Sequence, residues 1–518
     1  MTRAFSFSLS RHGWIAAAAL LALAGIWTRL WGIADEPMWL DEGYSAYAAA
    51  KGWHFLWHIV PRYETHPPFY YSLLRAWTLI AGDGLMSHRL LGVFAGVAAL
   101  PVAALAADRI ARIAGLARNW AITATVGLVA LSPMLVEMSR EVRPYPLMIL
   151  AYACAMAALA AIAARSANGL PIASRAYALY LCAFALILWL HNLGPLYGVA
   201  LGLSFLTVTI RRGMTRGDWA WIIRGHLAIV LLWLPALLIL LDQAPMWVKA
   251  TWLKFSPVDL WRRVTVIHAG PGDDMRATAM LLAVLGIVAL WRRPWGKRLA
   301  AMLLILTAIP VLLAILISAT VAPVFIPRTM TALAIPAAVL MAVGLSFGKG
   351  WQRLVPITAL LWLLGQQFAF DLAAREHPRR DWYRALAWLQ PRFQPGDQVF
   401  AYPNEGALPF DRAVKDKGLH MPSRSIPTEI PSLDPPPGSW YVSGSRGVPS
   451  LDQAHLRAIA DEPRTRAVPT IWLLRLGPWA YDKGDIFLSE LSRGRHEVGR
   501  YRDRAIDIVG LRRDQTAR

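Results

Sequence analysis

Charge and cysteine are scarce in this chain of 518 residues. Only 17% of the residues are Asp, Glu, Lys or Arg, whereas soluble domains carry about 25%. The two cysteines, Cys154 and Cys182, both lie in apolar runs, so they provide neither a disulfide framework nor a metal-ligand spacing. Hydrophobic residues make up 56% of the chain, and the mean hydropathy is +0.40. These values indicate a polytopic membrane protein with one polar portion.

Several enzyme motifs are absent from the sequence as well. It has no Gly-rich phosphate-binding loop, no His-Glu-x-x-His and no Ser nucleophile elbow. ATP-driven transport and metalloproteolysis are therefore unsupported. The net charge is +20, but Lys and Arg lie mainly in short loops between apolar segments and in the C-terminal segment. Nucleic-acid binding is one reading of this excess, but the distribution favours the other, in which these residues anchor cytoplasmic loops and attract anionic lipid.

Apolar segments long enough to cross a bilayer, about 20 residues each, recur through the first two thirds of the chain. The first follows basic residues and lacks a small-residue cleavage pattern, so it is predicted to remain as a span. The sequence predicts about 11 spans. They are residues 13–32, 85–107, 119–137, 146–164, 176–192, 194–210, 225–242, 277–291, 299–321, 329–347 and 354–370.

Basic residues fall on alternate connections between these spans, which the positive-inside rule places in the cytoplasm. The apolar segment 68–82 is ambiguous, because counting it as a span would reverse the sides of the later basic loops. It is therefore predicted to be an interfacial helix within a long first outer loop, residues 33–84. An odd number of spans also places the C-terminal residues 371–518 outside.

Polar residues and turn signals increase after residue 370. Alternating strands and helices there predict a small α/β domain. The predicted strands are Val399–Tyr402 and Trp440–Val442, and the predicted helices are Arg380–Leu389 and Asp452–Asp461. The predicted organisation is an α-helical membrane domain over residues 1–370, which includes the first outer loop, and an α/β domain on the outer side over residues 371–518.

Two adjacent carboxylates, Asp41 and Glu42, lie just beyond the first span. Ionised groups near a bilayer are costly to desolvate, so they persist where chemistry needs them. On a helix, neighbours point about 100° apart, so only one can face a reaction centre while the other orients or caps. A carboxylate in a partly apolar cleft can act as a general base toward a hydroxyl. The structural alternative is that Asp41 caps a helix over Gly43–Ala50.

The segment Glu64–Pro68 follows in the same loop. Its prolines predict the start of a helix over Phe69–Leu79, with Thr65 or His66 as the cap. Such an N-terminus can hold a phosphate, and His66 could add a donor or a charge there. A plain helix start with a surface histidine is the alternative. The acid and the histidine of this segment, together with Asp41, could also bind a divalent cation, although no ligand spacing requires one.

A third polar segment, Glu137–Tyr145, lies at the outer end of the third span and contains two arginines and two acids. Arginine can hold a phosphodiester or a carboxylate in a bidentate grip. The alternative is an ion-pair network that braces two helix ends. Arg328 opens a late span on the outer side, against the positive-inside trend, and is a further phosphate candidate. The candidate residues for binding the donor phosphate or the substrate are Glu64, His66, Arg140, Glu141, Arg143, Tyr145 and Arg328.

In this order and placement, the acid pair, the segment around His66 and the motif ending at Tyr145 resemble the GT-C glycosyltransferases. The match is to bacterial members of the protein mannosyltransferase-like family 39 and to the related aminoarabinose transferases of family 83, and it covers most of residues 1–400. The resemblance implies a polyprenyl-phosphate-linked sugar donor, used on the periplasmic face. It also implies that Asp41 is the base, that Glu42 is its neighbour in the site, and that Arg143 belongs to the arginine motif.

Two departures from the family 83 pattern argue against aminoarabinose as the sugar. His66 stands where those enzymes carry Lys, and Gly43-Tyr44 stand where they carry a basic residue soon after the acid pair.

A departing lipid phosphate needs cations or N–H donors to stabilise its charge. An acceptor hydroxyl needs a base on the opposite face of the sugar, and such direct attack inverts the anomeric centre. The sequence thus predicts a hexosyl- or pentosyltransferase that acts on a cell-envelope lipid, glycan or protein. A lipid-linked-sugar flippase is the alternative, but it should carry charges at mid-membrane and broken helices in matching halves. A non-catalytic assembly protein is a third possibility, which would tolerate loss of both acids.

Overall fold

The computed structural model describes residues 10–210, 214–250, 254–376, 381–431, 433 and 451–514. Its packing separates two compact units. The first, here the helical unit, comprises Met1–Ile33, Arg89–Leu238 and Trp252–His377, and the second, here the mixed unit, comprises Ala34–His88, Ile239–Thr251 and Pro378–Arg518. Residues 34–88, which include most of the predicted outer loop, thus pack with the C-terminal residues. A packing unit is not an independently folding domain, so the predicted domain boundaries stay predictions.

The α-helices, in chain order, are α1 Arg11–Leu30, α2 Leu40–Lys51, α3 Phe69–Ala81, α4 Leu85–Ala114, α5 Arg118–Leu131, α6 Pro133–Ser139, α7 Tyr145–Ala167, α8 Arg175–Leu190, α9 Gly194–Thr209, α10 Arg216–Ala250, α11 Leu260–Thr265, α12 Asp273–Trp291, α13 Gly296–Thr320, α14 Ala334–Val343, α15 Leu354–Glu376, α16 Trp382–Leu389, α17 Ala407–Asp416, α18 Gln453–Asp461, α19 Pro463–Ala467, α20 Pro478–Tyr481 and α21 Ile486–Leu491. A π-helical turn, Phe55–Ile59, lies between α2 and α3, and a 3-10 segment, Pro327–Leu333, leads into α14.

Within the described residues, eight helical segments are long and apolar enough to cross a membrane, or up to nine if the bent pair α5–α6 forms one span. The apolar helices α8 and α9 are shorter, at 16 residues each. Each predicted span corresponds to one of these segments, and the multi-pass α-helical architecture is confirmed. The ambiguous segment 68–82 forms α3, whose 13 residues are too few for a span.

The bend of 58° between α5 and α6 lies at Ser132-Pro133, because proline has no N–H to continue the helix. The last carbonyls of α5 then need donors in an apolar setting. The guanidinium of Arg29, on α1, donates to the carbonyls of Val129 at 3.1 Å and Ala130 at 2.7 Å. A buried arginine inside an apolar run therefore fastens the broken span to α1.

The C-terminal part of the mixed unit contains a sheet with strand order β2-β1-β3-β5-β4. Strand β1 is parallel to β2 and β3, and β5 is antiparallel to β3 and β4. The α/β character is confirmed, as are the predicted strand at β1 and the helices at α16 and α18. The predicted strand Trp440–Val442 lies outside the described residues. The strands are β1 Gln398–Tyr402, β2 Ser423–Ser425, β3 Thr470–Leu476, β4 Arg495–Asp503 and β5 Ile506–Arg513.

Side chains of β1 alternate between two cores, as strand geometry requires. Phe400 faces a core that includes residues of α18 and α21. Val399 faces a second core, which includes Trp382 of α16 and Phe410 of α17. Phe410 is fully buried, and burial of a side chain of this size stabilises a fold by about 1.5–3 kcal/mol. Helix α17 is therefore fixed to the sheet by its apolar face.

Candidate active site

The acid pair lies in the first turn of α2, in the mixed unit. The helix begins at Leu40 with Trp39 at the N-cap position, so Asp41 is not the cap that the structural alternative required. Glu42 performs the capping instead, because its Oε2 accepts a hydrogen bond from the Trp39 backbone N–H at 3.3 Å. Asp41 and Glu42 are 9% and 2% exposed. Both carboxylates lie in the first turn of α2, at the positive end of the helix dipole.

A cluster of tyrosines packs α2 against α3 and the preceding turn. The hydroxyls of Tyr44 and Tyr63 lie 2.8 Å apart, and the ring of Tyr44 meets that of Tyr71 edge-on at 5.6 Å. Burial, together with Tyr63, Tyr71 and Glu64, raises the pKa of Tyr44 well above its ordinary value. Tyr44 is therefore a neutral hydroxyl that can only donate or accept hydrogen bonds, and the cluster gives α2 a rigid base.

Glu64 and His66 contact each other in the turn before α3. Glu64 is 1% exposed, and its Oε1 lies 2.9 Å from Nδ1 of His66 and accepts from the His66 backbone N–H at 3.3 Å. The carboxylate thereby orients the imidazole ring. Helix α3 begins at Phe69 as predicted, but Pro68 occupies its N-cap position. The predicted cap at Thr65 or His66 is wrong, because these residues turn back toward Glu64.

The side chains considered for a divalent cation do not form a recognisable metal site. Over the part of the chain that the structure describes, no group of three or more His, Cys, Asp or Glu residues could hold a metal ion. The contact between Glu64 and His66 involves two such groups only. The arrangement of Asp41, Glu64 and His66 therefore gives the cation hypothesis no support.

The arginine motif lies in the helical unit, on the turn between α6 and α7. Arg143 is 5% exposed, and its guanidinium lies 5.9 Å from the ring centroid of Tyr145. The Tyr145 ring lies 5.9 Å from that of His191, at the end of α8. Tyr145 is also the first residue of α7, a helix of 23 residues whose N-terminal dipole attracts anions. A cation, two rings and a helix N-terminus therefore meet here.

Arg328 occupies the 3-10 segment that leads into α14. This segment packs against both α6 and α7, and the Tyr197 hydroxyl of α9 holds it by donating to the Thr329 carbonyl at 2.7 Å. Tyr197 in turn meets Tyr152 of α7 edge-on at 5.1 Å. The segments that carry Arg143 and Arg328 therefore border the same helices of the helical unit.

Arg140 plays a bracing part, as the structural alternative for this motif proposed, but its partners are carbonyls. Its guanidinium donates to the carbonyls of Thr28 at 3.3 Å, Trp31 at 2.8 Å and Gly32 at 2.7 Å. Arg375 donates to the Trp31 carbonyl as well, at 2.7 Å. Two arginines thus close the carboxyl end of α1. Glu141 is partly buried in the turn that follows α6.

Two features of these regions were not predicted from the sequence. The tyrosine cluster joins residues of α2 and α3 whose spacing resembles ordinary core packing. Arg29 was detectable in principle, since an arginine within an apolar run is rare, but its partners lie about a hundred positions along the chain.

Comparisons with known proteins place the fold. No model of a known protein family matches the sequence, and no curated protein matches it. The crystal structure of apo ArnT from Cupriavidus metallidurans is similar, with a TM-score of 0.62 at 12% identity over 96% of this chain and 98% of that one. ArnT bound to undecaprenyl phosphate gives a TM-score of 0.57 at 14% identity, over 97% and 98% of the two chains.

An archaeal relative of this fold extends the comparison. The oligosaccharyltransferase AglB from Archaeoglobus fulgidus, in complex with an inhibitory peptide and a dolichol-phosphate, gives a TM-score of 0.53 at 12% identity, over 97% of this chain and 74% of that one. The chain therefore has the fold of the GT-C glycosyltransferases, as its motifs predicted, and is a multi-pass membrane protein. Identities of this size show the fold alone.

Proposed function

We propose that this protein is a glycosyltransferase of the bacterial inner membrane. It transfers a sugar from a polyprenyl-phosphate-linked donor to a cell-envelope lipid, glycan or protein on the periplasmic face. The observation that carries the proposal is the buried acid pair on the first turn of α2, within a chain of GT-C fold. Structures of that fold with undecaprenyl phosphate and dolichol-phosphate support the donor class.

Asp41 is the proposed general base. It takes the proton of the acceptor hydroxyl while the oxygen forms a bond to the anomeric carbon of the sugar. The bond from that carbon to the donor phosphate oxygen breaks at the same time, and its electron pair leaves with the polyprenyl phosphate. Attack and departure occur on opposite faces, so the anomeric configuration inverts. Glu42 supports the base by holding the first turn of α2 through the Trp39 N–H.

The leaving phosphate needs positive charge and hydrogen-bond donors as its own charge develops. Arg143 is the main candidate, because it precedes the N-terminus of α7 and is itself buried. Arg328 and Tyr145 are secondary candidates on neighbouring elements. His66, oriented by Glu64, is proposed to assist at the phosphate. Arg140 is left out, since its guanidinium closes α1.

The proposal is tested by analysis of envelope glycans by mass spectrometry, with cells that lack the protein as the starting point. The wild-type chain should restore a missing sugar, which would identify donor and acceptor together. Asp41→Asn should not restore it, because loss of a general base typically costs about 10²–10⁴-fold in rate.

Asp35→Asn is the matched control, since Asp35 is an exposed acid of the same loop and the change removes the same charge. It should restore the glycan fully. Restoration of the sugar by Asp41→Asn at the wild-type level would remove Asp41 from the mechanism. An unchanged glycan and lipid profile in cells without the protein would contradict the transferase function itself.

A further inference from the structure

Helix α17 makes packing contacts on two of its faces. One face, with Phe410, is buried against the sheet. The other presents Leu408, Arg412 and Lys415, whose spacing of four and three residues aligns them on one side of a helix. This second face meets the first outer loop, at α2 and at the turn after α3. Helix α17 therefore connects the sheet to the loop that carries Asp41.

Gly43 is a point of close approach between α2 and α17. A Cβ atom at this position would lie 3.3 Å from the carbonyl carbon of Leu408 and 3.3 Å from the nitrogen of Pro409. These are backbone atoms, which cannot rotate away as the end of a flexible side chain can. Any larger residue at this position must therefore displace one helix from the other.

The same face of α2 makes a second contact, one turn further on. Tyr47 is four residues after Gly43, and its hydroxyl donates to the carbonyl of Ile430 at 2.6 Å. Asp41 precedes Gly43 by two residues, so it points about 160° away around the helix. The C-terminal residues thus hold the back of α2, and Asp41 is directed away from them.

A cluster of charges fastens the end of the loop to the same face of α17. Asp83 is contacted by Lys415 and lies 3.4 Å from Nη1 of Arg412, whose Nη2 also donates to the Asp83 carbonyl at 3.1 Å. Arg412 is 8% exposed and is itself held by Asp416 at 2.9 Å. The loop is therefore fixed to α17 both at its start, through Gly43, and at its end, through Asp83.

We propose that α17 is a positioning element for the catalytic base, and that Gly43 is the positioning residue through which it acts. The inference rests on the proposed role of Asp41. It gives the C-terminal α/β domain a function: the domain sets the position of the first turn of α2 relative to the sugar.

The test compares Gly43→Ala with Gly84→Ala. Gly84 lies in the same loop, and a Cβ there would meet nothing within 4 Å. Transfer is measured with tritium-labelled polyprenyl-phosphate sugars extracted from the source membranes and with the remaining envelope fraction as acceptor. Gly43→Ala should lower the rate at saturating donor about tenfold, because small misplacements of a reacting group are costly. The donor KM should stay within about twofold of wild type, and Gly84→Ala should change neither value.

A double-mutant cycle separates positioning from loss of folded protein. In an Asp41→Asn background, Gly43→Ala should cause no further loss, because the residue through which it acts has gone. If residual transfer by Asp41→Asn is below detection, Asp41→Glu serves as the background. The fold-loss in transfer rate caused by Gly43→Ala should then differ between this background and wild type. If Gly43→Ala lowers the transfer rate by the same factor in wild type and in the Asp41 variant, the positioning role of Gly43 is wrong, but the role of Asp41 is unaffected. Near-normal transfer by Asp41→Asn alone defeats the proposed function instead.

Tyr47→Phe provides a second variant in case Gly43→Ala does not fold. It removes only the hydroxyl that reaches Ile430, so the loop should fold. We expect a rate about threefold lower, with the donor KM unchanged, because one hydrogen bond that holds the back of α2 is lost. A wild-type rate for this variant would overturn the inference.

Discussion

The two candidate regions, the acid pair of the mixed unit and the arginine motif of the helical unit, are built differently. The acid pair lies on a regular helix, α2, which contacts α17 at Gly43 and the ring of Tyr71 through Tyr44. The arginine motif lies on a turn between two helices, and the surrounding residues are held by Arg29 and Arg140 through backbone carbonyls. A proton-transfer group needs an exact direction, which a packed helix gives. A phosphate site needs charge and N–H donors, which a helix start gives.

The difference predicts opposite kinetic effects at the two parts, and the largest change in donor binding should come from Arg143→Ala. We expect the donor KM to rise about tenfold or more, because a charge-assisted hydrogen bond contributes about 1.5–3 kcal/mol. The measurement is the initial transfer rate as a function of donor concentration. Arg140→Ala is the matched control: it should leave the donor KM unchanged and lower thermal stability, since Arg140 closes α1. Equal changes in donor KM for the two variants would contradict the assignment of Arg143 to donor binding and of Arg140 to the end of α1.

A smaller effect, on stability, is expected from Arg29→Met. The side chain is fully buried and donates to Val129 and Ala130 at the break of the α5–α6 span. Loss of these donors should cost about 2 kcal/mol, because the carbonyls are left without partners in an apolar setting. Thermal unfolding in detergent measures this loss of stability as a lower melting temperature. Arg11→Met, an exposed arginine on the same helix, should leave the melting temperature unchanged, and an equal fall for both would argue against the fastening role.

Loss of the tyrosine contact under α2 should have a still smaller effect. Tyr44→Phe and Tyr63→Phe each remove one member of the hydroxyl pair at 2.8 Å, at a cost of about 1 kcal/mol in unfolding free energy. The double variant should cost little more than either single variant, since one shared contact is lost. Strictly additive losses in thermal or denaturant unfolding would show that the two hydroxyls act independently.

The smallest effect should appear as acid sensitivity of the loop. Partial burial opposes ionisation of Asp83, but the hydrogen bond from Lys415 and the charges of His88, Lys415 and Arg412 outweigh it and lower the pKa of Asp83. A depressed pKa in the folded state stabilises the fold above the unfolded pKa, near 4, and the contribution is lost as pH falls below that value. Asp83→Asn should therefore flatten the loss of thermal stability below about pH 4. An unchanged pH dependence would contradict this assignment.

Local signals explain what the sequence could predict. Hydropathy located the long apolar helices that the structure describes, prolines located the start of α3 at Phe69, and the acid pair stood out because charge is rare near a span. Apart from the start of α2, the features that the sequence did not predict depend on distant neighbours. The start of α2 at Leu40 was missed, because Glu42 caps the helix from its first turn and Trp39 is not a typical cap residue. The residues next to Gly43 in the sequence do not indicate that Leu408 approaches it. Likewise, the residues next to Arg140 do not indicate whether its guanidinium binds carbonyls of α1 or a phosphate.

In the proposed mechanism Asp41 takes the acceptor proton while other residues hold the donor. Two measurements on purified Asp41→Asn test this division of roles: the affinity for undecaprenyl phosphate and the single-turnover rate of sugar transfer. The affinity of Asp41→Asn for undecaprenyl phosphate should stay within about twofold of wild type, while its transfer rate should fall about 10²-fold or more. A near-normal rate, or a loss that appears entirely in the affinity, would contradict this division of roles.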